Sequence, residues 1–244
     1  MHARTFGAGP ALVVGYHGWA GSHRDFAAIG RGLPDTHRLV APDLPGHGMS
    51  PPLDRLDETT LVEALTVHLD GLESESVTLV GYCSGAILAL LVADRRPHRV
   101  RRIVAVDPFA YLPWYFRIFT FGEFGRRAYR TTFANPLGRM ITEWSLQRRK
   151  SPDAGFMESF RGANHAVVLA YLRLFASLGT LDRFAGIRAP IVLCRGARTF
   201  AAVKRSVEMF REVWPDASEH VIEDAGHLIM VHGARRIRAL ITQP

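Results

Sequence analysis

Short runs of Val, Ile and Leu recur along the chain, separated by longer stretches in which apolar and polar residues alternate in helical fashion. That alternation is the pattern of parallel strands joined by crossover helices. It predicts strands over residues 11–16 (ALVVGY), 38–41, 77–80 (VTLV), 102–106 (RIVAV), 190–195 (PIVLCR) and near 220–222. It predicts helices over 25–33, 58–72, from the turn at 81–85 to about 95, 201–214 and 228–241. From 109 to 188 the alternation stops, and the segment becomes helix-rich, basic and crowded with aromatics: Trp114, Tyr115, Phe116, Phe119, Phe121, Phe124 and Tyr129. The expected architecture is an α/β core, residues 1–108 and 189–244, with a helical cap inserted at 109–188.

Length and composition fit that picture. A chain of 244 residues suits one sizeable domain, and its 48% hydrophobic and 22% charged residues are those of a folded protein without low-complexity tracts. No apolar run reaches the roughly 18 residues that span a bilayer, and the first ten residues lack the apolar stretch of a secretory signal, so a cytoplasmic location is expected. Two cysteines, Cys83 and Cys194, make free thiols the simpler expectation than a disulfide framework.

The formal charge of +7 is written almost wholly in arginine, since Lys150 and Lys204 are the only lysines. Arg117, Arg126, Arg127, Arg130, Arg139, Arg148 and Arg149 could hold an acidic carrier protein or a CoA thioester by charge-assisted hydrogen bonds. The alternative is that arginine replaces lysine on ordinary solvated faces. No nucleic-acid-binding motif occurs. No histidine spacing suggests a metal and no glycine-rich loop suggests a phosphate, so no cofactor is implied.

The chemistry concentrates at Gly81-Tyr82-Cys83-Ser84-Gly85, between a predicted buried strand and a predicted helix. A turn that throws a nucleophile out of that junction is strained, and small residues are required two positions before and after its centre. Centring on Cys83 puts Gly81 and Gly85 there, whereas centring on Ser84 would put Tyr82 in the crowded position. Cys83 is therefore the candidate nucleophile. His17-Gly18-Trp19 follows the first predicted strand and Asp43-Leu44-Pro45-Gly46-His47-Gly48-Met49-Ser50 the next. Asp224-Ala225-Gly226-His227 lies between the last strand and the last helix. All lie where parallel sheets build their sites, at the carboxyl ends of strands.

In this order the H-G loop, the D-x-P-G-H-G-x-S loop, the elbow and the late G-H resemble the α/β-hydrolase superfamily over nearly the whole chain. The cysteine elbow is similar to that of dienelactone hydrolases, polyhydroxyalkanoate synthases and some assembly-line thioesterases. The resemblance implies Cys83 as nucleophile, His227 as general base and acid, and the backbone amides of Trp19 and Ser84 as the oxyanion hole. It also implies that the antiparallel hairpin that often opens this fold is short or missing here. His17 and His47 are expected to hold loop turns, and Cys194 to be a small core residue.

The pattern breaks at the acid. In many relatives it lies three residues after the glycine ending the penultimate strand, a place held here by Thr199 in Gly196-Ala197-Arg198-Thr199. The other position used in the superfamily follows the strand after the elbow helix, which points to Asp107. A helix-capping or turn role for Asp107 and a Cys-His dyad without an acid stay open, while Asp224 and Asp43 are expected to stabilise their loops. The expected function is an acyl-cysteine hydrolase of a lipophilic or aromatic ester, lactone or thioester. The alternatives are an acyltransferase or cyclase using the same intermediate, or a silent ligand-binding relative.

Overall fold

The computed structural model describes residues 1–148 and 156–243. Seven strands form one sheet: β1 (Ala3–Phe6), β2 (Ala11–Tyr16), β3 (His37–Pro42), β4 (Val77–Tyr82), β5 (Val100–Val106), β6 (Ile191–Gly196) and β7 (Ser218–Ile222). Their order is β1-β3-β2-β4-β5-β6-β7, parallel throughout except where β1 pairs antiparallel with β3. The mostly apolar sequence of β4 is explained by its central place, every residue being buried between two helical layers.

The helices are α1 (Ala27–Gly30), α2 (Glu58–Asp70), α3 (Gly85–Arg95), α4 (Trp114–Arg117), α5 (Gly122–Tyr129), α6 (Pro136–Arg148), α7 (His165–Ser177), α8 (Ala201–Val213), α9 (Ile229–His232) and α10 (Ala234–Thr242). Asp57 starts α2 with a capping box, its carboxylate taking the Thr60 N–H while the Thr60 side chain returns to the Asp57 N–H. Residues 85–93 of α3 are all buried, as an apolar helix under a sheet must be. Helices α4 to α7 fill the stretch between β5 and β6. Arg149 and Lys150 lie outside the described residues.

Two predicted elements differ in the structure. The helix expected over 25–33 is a 3₁₀ turn, His23–Phe26, followed by the single turn α1. The helix expected over 228–241 is split into α9 and α10 at Gly233, where a Cβ would approach Ile222 Cδ1 to 2.6 Å and the Ile229 carbonyl oxygen to 2.9 Å. The opening hairpin is short, as expected: one strand, β1, is present, and its four residues, ARTF, are at best half-buried and carry no apolar run to announce it.

Pairing register fixes the site's location. Tyr16 pairs with Gly81, Tyr82 with Val106, Val106 with Cys194 and Gly196 with Ile222, so β2, β4, β5, β6 and β7 end in step. The loops that follow these strands therefore share one edge of the sheet.

Candidate active site

Cys83 and Asp107 are the two non-glycine residues with positive φ among the described residues, at 56° and 47°. Each makes one last sheet bond, Cys83 N to Val106 O at 2.9 Å and Asp107 N to Cys194 O at 2.7 Å. Each then leaves its strand in the left-handed conformation, which costs a non-glycine residue about 1–2 kcal/mol. The glycines flanking Cys83 are needed by contact. A Cβ on Gly81 would lie 2.4 Å from the Gly85 carbonyl oxygen, and one on Gly85 would lie 2.1 Å from the Tyr16 carbonyl oxygen. The second contact is with β2, not with the opposite side of the turn.

His227 Nδ1 lies 2.5 Å from Asp107 Oδ2, both side chains being buried. The ring is also hydrogen-bonded to the Cys83 side chain. Asp107 Oδ1 accepts the Gly196 N–H at 3.0 Å, and Oδ2 also accepts the Thr199 hydroxyl. The threonine at the position where many relatives carry their acid thus donates to the carboxylate that reaches His227. Asp224 is exposed and, among the described residues, offers only its carbonyl, to Arg198 at 2.8 Å. Burial alone would lower the His227 pKa; the Cys83 charge and the Asp107 hydrogen bond overcome it and push it up to about 10.

Three aromatic rings that the sequence reading left unassigned hold the imidazole. Tyr82 stacks on it at 5.4 Å and donates its hydroxyl to the His227 carbonyl at 2.8 Å. Phe109 and Phe200 lie against the ring at 5.6 and 5.1 Å. Only the topology, not their spacing in the chain, brings these residues together.

The loop after β2 is locked by two histidines. His17 Nε2 accepts the Leu44 N–H at 2.9 Å, so Nδ1 carries the proton and donates to the Gly18 carbonyl at 2.8 Å. Burial, with a smaller contribution from His47, drops the His17 pKa to about 3, which keeps that tautomer neutral. His47 Nε2 donates to the Trp19 carbonyl at 3.0 Å. Among the described residues neither the Trp19 nor the Ser84 backbone N–H donates a hydrogen bond. Asp43 stabilises its loop: it accepts the backbone N–H groups of His23 and Met49 and faces the rings of His23 and His2, at 2.8 to 2.9 Å. These bonds hold its carboxyl down to about 2 despite burial, which alone would raise it. Cys194 is a free thiol buried in β6, its pKa pushed up to about 12 by burial and then by Asp107.

Above Cys83 and His227 lies a cavity of about 320 Å³ walled mainly by apolar side chains, among them Ile87, Leu112, Phe116, Phe160, Leu172 and Phe184. The aromatic crowd divides. Trp19 donates Nε1–H to the Val168 carbonyl at 2.6 Å and packs within 5.2 to 5.5 Å of Phe116, Phe133 and Phe160, while Trp114, Phe121 and Phe124 face outward.

One further acid, Asp25, lines this cavity, and burial, opposed by the Ser22 backbone hydrogen bond, raises its pKa to about 7. It is neutral below that pH and anionic above it. For an acyl ester without a cation, KM is expected to rise as pH passes upward through about 7, and to stay flat in Asp25→Asn. Superimposable KM profiles for the two proteins would contradict this role.

The sequence matches the model of the alpha/beta hydrolase fold family over residues 11–234. The pimeloyl-[acyl-carrier protein] methyl ester esterase of Chromobacterium violaceum is 28% identical over 98% of this chain and 96% of its own. Lipase LipV of Mycobacterium tuberculosis is 34% identical over a shorter segment, 44% of this chain and 41% of the lipase. A thermophilic esterase from Thermogutta terrifontis superposes with a TM-score of 0.76 at 20% identity, covering 98% of this chain and 90% of its own, a likeness of fold.

Proposed function

Because this chain belongs to the alpha/beta hydrolase fold family, we propose that it is a hydrolase cleaving an ester or thioester of a lipophilic acyl group through an acyl-Cys83 intermediate. The observation that carries the reading is the continuous chain of contacts from Cys83 through His227 to Asp107, laid under an apolar cavity. Two names among the relatives, an esterase and a lipase, support ester cleavage.

His227 takes the proton of the Cys83 thiol, leaving an imidazolium beside a thiolate. The thiolate attacks the acyl carbonyl, and the developing oxyanion takes the Trp19 and Ser84 amides, each donor contributing about 3 kcal/mol in comparable sites. Collapse breaks the C–O or C–S bond of the substrate, and the imidazolium gives its proton to the leaving alcohol or thiol. Acylation removes the thiolate, and with it one cause of the raised His227 pKa, so the ring becomes a base. It then takes a proton from water, whose oxygen attacks the thioester; the acid leaves, and the proton on His227 again faces a thiolate. Asp107 holds the ring in one tautomer throughout, oriented in turn by Thr199 and Gly196.

A carrier-borne acyl group is the finer form of this proposal, drawn from the name of the Chromobacterium relative. The test is product partition with short and long acyl esters and thioesters, each with and without an added amine or thiol. The free acid is expected to dominate and turnover to improve with acyl length. Predominant transfer to the added nucleophile would favour the acyltransferase reading, and no turnover across the panel would overturn both.

A further inference from the structure

We propose that the outer face of the cap is a docking surface for an anionic phospholipid membrane, on which the protein lies with α6 in the interfacial plane. The inference does not depend on which residue is the nucleophile.

The cap's surface is unusual in two independent respects. The first is apolar exposure. Of the fourteen large hydrophobic side chains exposed among the described residues, nine fall between 111 and 144. Four of them, Leu137, Met140, Ile141 and Trp144, lie on α6 at successive spacings of three, one and three, and are 57% to 63% exposed. That spacing puts them on one face of the helix. The rest of α6 packs on the turns at 130–134 and 156–160, so the stripe faces away from the protein. Phe121 and Phe124, at the start of α5, are exposed by 63% and 72%. Monomeric proteins seldom leave such groups uncovered without a partner.

The second respect is charge. Residues 109–188 hold twelve of the thirty Lys and Arg but five of the twenty-three Asp and Glu. The chain's whole +7 excess therefore falls in the cap segment, and the remaining 164 residues balance at eighteen of each sign. A cation adjoins the apolar stripe directly: the Arg148 guanidinium stands 5.2 Å from the Trp144 ring centre. An apolar helix face with tryptophan, bordered by arginine, matches the layered chemistry of a bilayer surface, with hydrocarbon beneath anionic phosphate. An acidic protein would meet the charges but leave a lipid-like stripe unexplained. No helix among the described residues is long and apolar enough to cross a membrane, so the fitting mode is attachment in the interface. The same cap walls the cavity through Phe116, Phe160 and Leu172, so attachment would bring membrane-borne acyl groups near the site.

The experiment is vesicle flotation of the full chain with phosphatidylcholine alone and with equimolar phosphatidylglycerol. Partition is expected to be at least about tenfold stronger on the anionic vesicles and to weaken as salt is raised. Ile141→Ser with Trp144→Ser is expected to lower it at least about tenfold more, with an unchanged melting temperature, because both side chains are solvent-facing. Arg127→Gln with Arg130→Gln is expected to reduce the anionic preference even if the first pair perturbs folding. Absent or equal partition would overturn the proposal, as would retention by both variant pairs. So would a wild-type dimer that the serine variant makes monomeric, or binding of an acidic carrier protein without any binding of vesicles.

Discussion

Cys83→Ala is expected to lower kcat/KM for an activated ester at least about a thousandfold while leaving the fold in place, since loss of a covalent nucleophile leaves only binding and oxyanion stabilisation. The fold should survive because alanine meets the same backbone constraint at φ 56° as cysteine does, and the elbow's tight contacts belong to Gly81 and Gly85. Ser84→Ala is the informative partner. The Ser84 hydroxyl is buried without a hydrogen-bond partner among the described residues, so its removal should leave turnover within about threefold of wild type. Steady-state kinetics on both variants separates two residues that are adjacent in sequence and differ entirely in their proposed role.

Asp107→Asn is expected to lower kcat about a hundredfold to a thousandfold, less than the ~10⁴ seen for the corresponding change in a serine triad, because a thiol needs less help than a hydroxyl. The asparagine amide would keep the bonds' reach but could present N–H to His227 Nδ1, favouring the wrong tautomer. The change also carries a pH signature. The His227 pKa, lowered by burial, is raised to about 10 by Cys83 and then by Asp107. Because the folded value exceeds the unfolded one of about 6.5, the stabilisation is fully present below about pH 6.5 and is lost as pH rises through about 10. Without the carboxylate the upper end of that window moves to lower pH. Melting temperature followed across pH should show the shift; identical profiles for wild type and variant would remove Asp107 from its supporting role.

The sheet was legible because buried parallel strands need continuous apolar runs, as in residues 12–14 and 103–106, and no surface requirement interrupts them. Strand β1 was not legible, since ARTF at a sheet edge buries little and needs no such run. The split of the last helix at Gly233 follows from close approach to Ile222, a long-range contact that local periodicity does not record. Around the site, the strained turn at Cys83 was readable from the steric demand for its flanking glycines, and a carboxylate at Asp107 from the superfamily's alternative acid position. The hydrogen bond from Thr199 to Asp107 and the rings of Tyr82, Phe109 and Phe200 around His227 were not, because they join the end of β4 to the loops after β5, β6 and β7. Asp25 carries no motif at all; its place in the cavity wall comes from the turn after β2. The outward half of the aromatics between β5 and β6 escaped for a related reason, since composition reports crowding but not which face of a helix receives it.

The most direct test of the central claim is rapid quenching of the protein with an activated acyl ester, followed by intact mass measurement and peptide mapping. One acyl group per chain is expected, held as a thioester on Cys83, and absent from Cys83→Ala. An adduct on Ser84 or elsewhere, or wild-type turnover in Cys83→Ala, would contradict the account.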